Sequence, residues 1–409
     1  MEEILAIFSQ YEGLLGIILV AGLTSFILTP LSGAIAFKIG AVDKPASMRD
    51  RGDKTRHRKI HDKIMPQLGG LAVTIGMVVG IFLAYQSGLM STIDSWQFTQ
   101  ILIGLAVIVM LGIWDDIVDV PAKTQFFIQI IAALIITSAG IRIDLVEILG
   151  LQLDFNVLEF TINLGERVLY FSPLADFITV IWIVGVVNAI NWVDGIDGLS
   201  GTMAMVAAFT MMFIATRNSA VLAAVMAAVL GGAVFGYLPF NLPPAKTYSG
   251  SSGVMTQGFL LAILAIVSGG KLTTSIIILA LPLIDAAWVL LGRYVRNRRE
   301  IKGPLDLLAI SDKTHLHHRL LDMGMSRRQT LFIEVTIFLI FCIAAYQLSG
   351  FSQQTVAVLV AVVACCLIFI TISLLSRRAK RLNIDKTKQT TEPQRKAVVD
   401  DAPEDKYAY

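Results

Sequence analysis

The sequence predicts an all-α polytopic membrane protein. Of its 409 residues, 55% are hydrophobic and only 16% charged, and the mean hydropathy is +0.71, far from the values of a soluble globular domain. Apolar runs of about 20 residues also recur along the chain, long enough to cross a hydrocarbon core ~30 Å thick.

About eleven runs qualify, near 13–36, 68–86, 99–115, 124–141, 175–190, 200–216, 219–239, 254–268, 272–291, 329–348 and 355–376. The first is preceded by Glu2 and Glu3 rather than basic residues, and it is longer than the core of a signal peptide, so it is expected to remain as a span. The loop after it holds Lys38, Lys44, Arg49, Arg51, Lys54, Arg56, Arg58, Lys59 and Lys63, a density expected in the cytoplasm. That puts the N-terminus outside. Alternation then puts the C-terminus in the cytoplasm, in agreement with Arg377, Arg378, Lys380 and Arg381 after the last run. Residues 1–376 are therefore expected to form one transmembrane domain, and the polar remainder, 377–409, a disordered cytoplasmic tail. Cys342, Cys365 and Cys366 fall inside apolar runs and read as small core residues.

The polar stretches between the runs carry the chemistry. Residues 42–70 form a basic loop with Lys44, His57 and His61 that ends in Gly69-Gly70; it reads either as a topology signal or as a phosphate-facing loop. The third run ends in Asp115-Asp116-Ile-Val-Asp119. If the helix continues to Asp119, the carboxylates crowd one face. Lys123 is the nearest basic residue, so a divalent metal carrying a phosphorylated substrate is the economical way to hold them together, with a solvated helix end as the plain alternative. In 142–174, Leu151, Leu153, Phe155 and Val157 alternate with Gln152, Asp154 and Asn156, which predicts a strand in a small extracytoplasmic β-hairpin.

Further on, Asn191, Asp194 and Asp197 recur every third residue among glycines, a spacing that would stack three oxygen-bearing side chains on a helical turn. Such an interruption between spans is tolerated where it lines protein or a wet cavity. Tyr248-Ser249-Gly250-Ser251-Ser252-Gly253 reads as a flexible loop entering the eighth run, either a connector or an oxyanion-holding helix start. Asp285 lies about two turns before Arg293 inside an apolar run, which makes it a site candidate or a buried pin between helices. The loop after it ends in His315-Leu-His317-His318-Arg319, and all 5 histidines of the chain lie on the same expected side as the acid motifs. Zinc is one reading of close histidines, but phosphate contacts suit the neighbouring acids better.

Together, acids that can hold a metal and basic loops around them suit transfer of a phosphate-linked group from a soluble donor to a membrane-bound acceptor. No G-x-x-x-x-G-K-[ST] pattern is present. A transporter would place its ionisable groups near the midplane, and an aromatic-acceptor prenyltransferase would have no use for the histidines.

From about Val42 to Leu321 the chain resembles the polyprenyl-phosphate N-acetylhexosamine-1-phosphate transferases. The resemblance is carried by Asp43-Lys44-Pro45, Lys59-Ile60-His61, Gly69-Gly70, Asp115-Asp116-x-x-Asp119, Asn191-x-x-Asp194-Gly-x-Asp197-Gly, Asp285 and His315-Leu-His317-His318-Arg319 in that order. The interrupted histidine run is similar to the bacterial undecaprenyl-phosphate N-acetylglucosamine-1-phosphate transferases. This implies UDP-GlcNAc and undecaprenyl phosphate as substrates and Mg²⁺ as cofactor, with Mn²⁺ as a substitute. It also implies a multi-pass protein of the bacterial plasma membrane with a cytoplasmic active site, acting at the first membrane step of a cell-wall or surface polysaccharide such as teichoic acid.

No nucleic-acid partner is expected, and a homodimer is compatible with the resemblance. Asp115, Asp116, Asp119 and Lys123 would be catalytic, with Asp115 or Asp116 as general base or metal ligand. Lys44, His61, Asn191, Asp194, Asp197, Asp285, Arg293, His315, His317, His318 and Arg319 would bind substrate. One position departs from the family: where it has an aspartate that would ligate the metal, this chain has Ser251.

Overall fold

A computed structural model describes residues 13–45, 48, 63–91, 93–148, 151–164, 167–269, 272–299, 301, 303, 305–310, 313–349 and 354–400. The helices in order are α1 (Leu14–Ile39), α2 (Gly69–Gln86), α3 (Ser95–Val118), α4 (Ala122–Ser138), α5 (Pro173–Val193), α6 (Leu199–Arg217), α7 (Val221–Asn241), α8 (Gly250–Val267), α9 (Leu272–Ile278), α10 (Ala280–Asn297), α11 (Asp306–Ala309), α12 (Leu316–Asp322), α13 (Arg327–Leu348) and α14 (Gln354–Asp400).

Among the described residues, 9 helices are long and apolar enough to cross a membrane, or 10 with α9 and α10 taken as one span; α4 is a shorter apolar helix. These are the segments that the hydropathy marks. The ninth differs in shape: α9 and α10 meet at 73° instead of forming one straight span. Pro282 lies in the first turn of α10, where its missing N–H and fixed φ fit a helix start better than a helix interior.

The centre of the bundle is α7 and α8, each with 83% of its apolar window buried, against 22% for the last helix. Helix α7 packs between α1 and α6, and α8 between α3 and α5. Lipid tails are as apolar as the side chains, so the close fit of small residues drives this packing. Helix α7 supplies them in Ala223, Ala224, Ala227, Ala228, Gly231 and Gly232, all buried. Side chains that face lipid, such as Leu15, Leu19 and Leu23 of α1, stay exposed on the bundle surface.

Six short strands make three two-stranded antiparallel pairs. β1 (Val42–Asp43) pairs with β2 (Met65–Pro66) and joins the two ends of the basic loop. At the opposite end of the bundle, β3 (Leu145–Ile148) pairs with β4 (Leu151–Asp154), and β5 (Phe160–Leu164) with β6 (Arg167–Phe171), so two hairpins stand where one was expected. The expected strand stops early because Asp154 Oδ1 accepts the Asn156 N–H at 2.8 Å, a side-chain turn that ends the pairing. Helix α14 runs to Asp400, through the first part of the tail whose composition suggested disorder. Lysine, arginine and glutamine continue a helix readily once a span has started it.

Candidate active site

The expected helix through Asp119 does not form. Helix α3 ends at Val118, and Asp119 takes a left-handed conformation with φ 53°. Aspartate is among the few residues that tolerate this region, and Pro121 steers Val120 away from helical geometry. Asp119 therefore leaves the face of its neighbours, although its N–H still reaches the Asp115 carbonyl at 3.0 Å.

Asp115 and Asp116 are held from α8. Asp115 accepts from Val120 N and Gln125 Nε2, both at 2.8 Å, and from Ser251 Oγ at 2.5 Å. Asp116 accepts from Ser251 N at 2.6 Å, Ser252 N at 3.1 Å and Ser252 Oγ at 2.7 Å. Asp116 thereby caps α8 from another helix, where the unpaired amides and the dipole favour negative charge. Gly250 makes the approach possible: its φ is 67°, and a Cβ there would meet Gln67 O and the Asp116 carboxylate. The described contact of Lys123 is with another acid: the lysine is half-exposed and pairs with Asp306 at 2.9 Å.

Strand β2 and the start of α2 secure the same corner. Tyr248 N donates to Pro66 O at 2.8 Å, while Gly69 N and Gly70 N donate to Tyr248 O and Ser249 O at 2.9 and 2.8 Å. Lys44, just past β1, is exposed; His57 and His61 lie outside the described residues.

The second wall is the turn between α5 and α6. Helix α5 stops at Val193, so Asn191, Asp194 and Asp197 do not stack along one turn; Gly195 and Gly198 break the helix between them. Asn191 remains half-buried in the last turn of α5. Asp194 accepts from Ser200 Oγ at 2.5 Å. Asp197 accepts from Ala245 N at 3.1 Å and Tyr248 Oη at 3.4 Å, and pairs with Arg327 at 3.6 Å. Burial and then Asp197 push the Tyr248 phenol above its ordinary pKa, so it stays a donor.

The histidine loop forms the third wall. Asp285, in α10, accepts from Leu316 N at 3.0 Å and meets His315 Nδ1 at 2.7 Å, so it pins the start of α12. His315 and His317 stack with centroids 5.6 Å apart, and His318 follows at 4.4 Å from His317. Arg293 is buried, with its guanidinium 5.1 Å from the Trp192 ring and Nη1 donating to Leu307 O at 3.1 Å. Arg319 donates to Thr314 O at 2.7 Å, contacts Ser373 Oγ and lies over Trp288. Both arginines, expected among the substrate ligands, thus have described contacts that brace the loop.

His317 joins the second and third walls, because a Cβ on Gly195 would run into its Nε2. Gly195→Ala will therefore displace the imidazole and cost about 1–3 kcal/mol of stability, read as a lower midpoint of thermal unfolding. Burial, then His318 and His315, hold His317 well below its ordinary pKa of 6.5, hence neutral. A folded-state pKa below the unfolded one gives stability that is present above pH 6.5 and lost as pH falls below it. Thermal unfolding between pH 7.5 and 5.5 should show that loss in the wild type and a smaller one in His317→Gln.

Among the described residues, no three acids, histidines or cysteines converge as a metal site. The donor chemistry nevertheless fits a magnesium ion completed by substrate. Such an ion takes one or two carboxylates plus substrate phosphate oxygens, and Asp115 with the Ser251 hydroxyl offers that minimum.

Gln125, Trp192 and Arg327 were not foreseen, and Tyr248 and Ser252 were named only as part of the loop that enters α8, without a role of their own. Gln125 is a polar residue in an apolar run; Trp192 and Arg327 carry no signal in the sequence.

A family model described as glycosyl transferase family 4 matches residues 98–269. The chain is 33% identical over 338 residues to the probable undecaprenyl-phosphate N-acetylglucosaminyl 1-phosphate transferase of Bacillus subtilis, covering 81% of this chain and 84% of that one. It is 28% identical over 341 residues to the decaprenyl-phosphate N-acetylglucosaminephosphotransferase of Mycobacterium leprae, covering 77% and 78%. It is 26% identical over 354 residues to the undecaprenyl-phosphate alpha-N-acetylglucosaminyl 1-phosphate transferase of Thermotoga maritima, covering 86% and 96%.

Proposed function

The chain belongs to glycosyl transferase family 4, and from that membership we propose that it transfers GlcNAc-1-phosphate from UDP-GlcNAc to undecaprenyl phosphate. The products are undecaprenyl-diphosphate-GlcNAc and UMP. One observation carries this reading beyond the names of the relatives: Asp115 and Asp116, the Asp197 turn and the Asp285–His315 pair are drawn to one rim through α8, Tyr248 and the contact of His317 with Gly195. The rim belongs to a bundle whose flanks are open to lipid.

In this reaction an oxygen of the lipid phosphate attacks the β-phosphorus of UDP-GlcNAc. The new P–O bond forms as the bond to the bridging oxygen breaks, and UMP leaves with that electron pair. Asp115, the more accessible of the two acids, is the one that would hold the cation, and the lipid phosphate attacks as its dianion, which has no proton to lose. His315, oriented by Asp285 through Nδ1, presents Nε2 as an acceptor to the bound donor, His318 faces the donor phosphates, and neutral His317 keeps them in place. Mg²⁺, held by Asp115 and Ser251, would offset charge that builds on the diphosphate. The same reading places the rim on the cytoplasmic side of a bacterial plasma membrane, because the basic loop joins it through β1 and β2.

UMP release from UDP-GlcNAc by the purified protein, with undecaprenyl phosphate present or absent across a Mg²⁺ titration, tests the proposal. Lipid-dependent UMP is expected; release without lipid, or none, overturns it. The hydrogen bond of Ser251 to Asp115 favours one second reading, a homologue that binds substrate and turns over slowly, for which bound UDP-GlcNAc without UMP is the signature. Ser251→Asp restores a carboxylate and should raise turnover at limiting Mg²⁺ by on the order of tenfold; an unchanged or lower rate counts against a cation role for this position.

A further inference from the structure

We propose that the start of α8 is a clasp of neutral donors that closes Asp115 and Asp116 to a resident cation, so that this chain takes up a divalent ion only together with the diphosphate of its donor. The proposal rests on the transferase reading above.

Each acid accepts hydrogen bonds from three groups, and none of these groups is charged: Val120 N, Gln125 Nε2 and Ser251 Oγ on Asp115, and Ser251 N, Ser252 N and Ser252 Oγ on Asp116. Asp116 is 7% exposed, and two of its donors are backbone amides fixed by α8. It cannot turn toward an ion without uncapping that helix.

Asp115 differs. Its Oδ2 is held by a single hydroxyl, and rotation about one bond moves the Ser251 hydrogen away. That frees the carboxylate oxygen and presents the Ser251 oxygen as a neutral ligand. One charged and one neutral oxygen are too few for an octahedral shell that has to be stripped of water. The diphosphate of the donor supplies the missing anionic oxygens. Ion and donor then bind as a coupled pair, and each raises the affinity of the other by the same factor.

The test uses the full-length protein in detergent, with Mn²⁺ as the paramagnetic probe and bound ion counted by electron paramagnetic resonance against protein-free controls holding the same nucleotide. Wild type without nucleotide should retain no Mn²⁺, and wild type with UDP-GlcNAc or UDP should retain about one ion per chain. Ser251→Asp should bind Mn²⁺ without nucleotide, on the order of tenfold or more tighter than wild type. Retention by wild type alone at the affinity seen with nucleotide overturns the proposal, and so does a nucleotide that binds without recruiting the ion. If Ser251→Asp does not fold, the two wild-type titrations decide alone. If neither nucleotide binds, the transferase reading falls, while the comparison of Ser251→Asp with wild type still reads the clasp.

Discussion

Asp116→Ala will cost the folded protein about 3–5 kcal/mol and lower UMP release by about a thousandfold. The carboxylate is buried and answers two backbone amides and a hydroxyl at the start of α8. Alanine leaves all of these donors without their acceptor. Because Ser251 belongs to the same first turn, loosening it also removes the Ser251 hydroxyl from Asp115. Stability and chemistry should therefore fall together. Asp116→Asn keeps one acceptor oxygen and should lose about half as much stability, while Asp119→Asn, on an exposed residue beyond the helix end, should leave the melting curve near wild type. Thermal unfolding in detergent, with UMP release measured on the same preparations, checks all three variants. A folded and active Asp116→Ala would show that α8 does not depend on this acid.

The spans were legible because a bilayer demands apolar length, and hydropathy records that demand directly. Bends and breaks were less so. The 73° turn between α9 and α10 lies inside an apolar stretch where only Pro282 hints at it. The stack expected for Asn191, Asp194 and Asp197 assumed a helix that Gly195 and Gly198 could have been read as ending. Asp115 and Asp116 were found as residues, but their partners were not. Ser251 lies 136 residues from Asp115 and 135 from Asp116 in sequence, and nothing local announces a pairing at that distance. The same holds for Asp285 and His315, which are 30 residues apart. Ser251 was legible as a departure from the family pattern, but its effect on Asp115 became visible only when α3 and α8 were brought together.

Asp285→Asn will lower kcat for UMP release by about a thousandfold with little loss of stability. Asp285 is ideally an acceptor twice over: one oxygen takes the Leu316 N–H at 3.0 Å and the other meets His315 Nδ1 at 2.7 Å. With a carboxylate there, Nδ1 carries the proton and Nε2 is left as the acceptor. Asparagine can satisfy Leu316 N only by turning its amide NH₂ toward Nδ1, which forces the proton onto Nε2 and reverses the role of the ring. The protein still folds, because the amide fills the same volume and keeps two hydrogen bonds. The loss should therefore fall on kcat, with the KM for UDP-GlcNAc changed by about twofold or less. The pair acts as a unit, so adding His315→Ala to Asp285→Asn should cost almost nothing further, whereas independent contributions would multiply. A double variant much slower than either single one would mean that Asp285 works through α12 as a whole and not through the His315 imidazole.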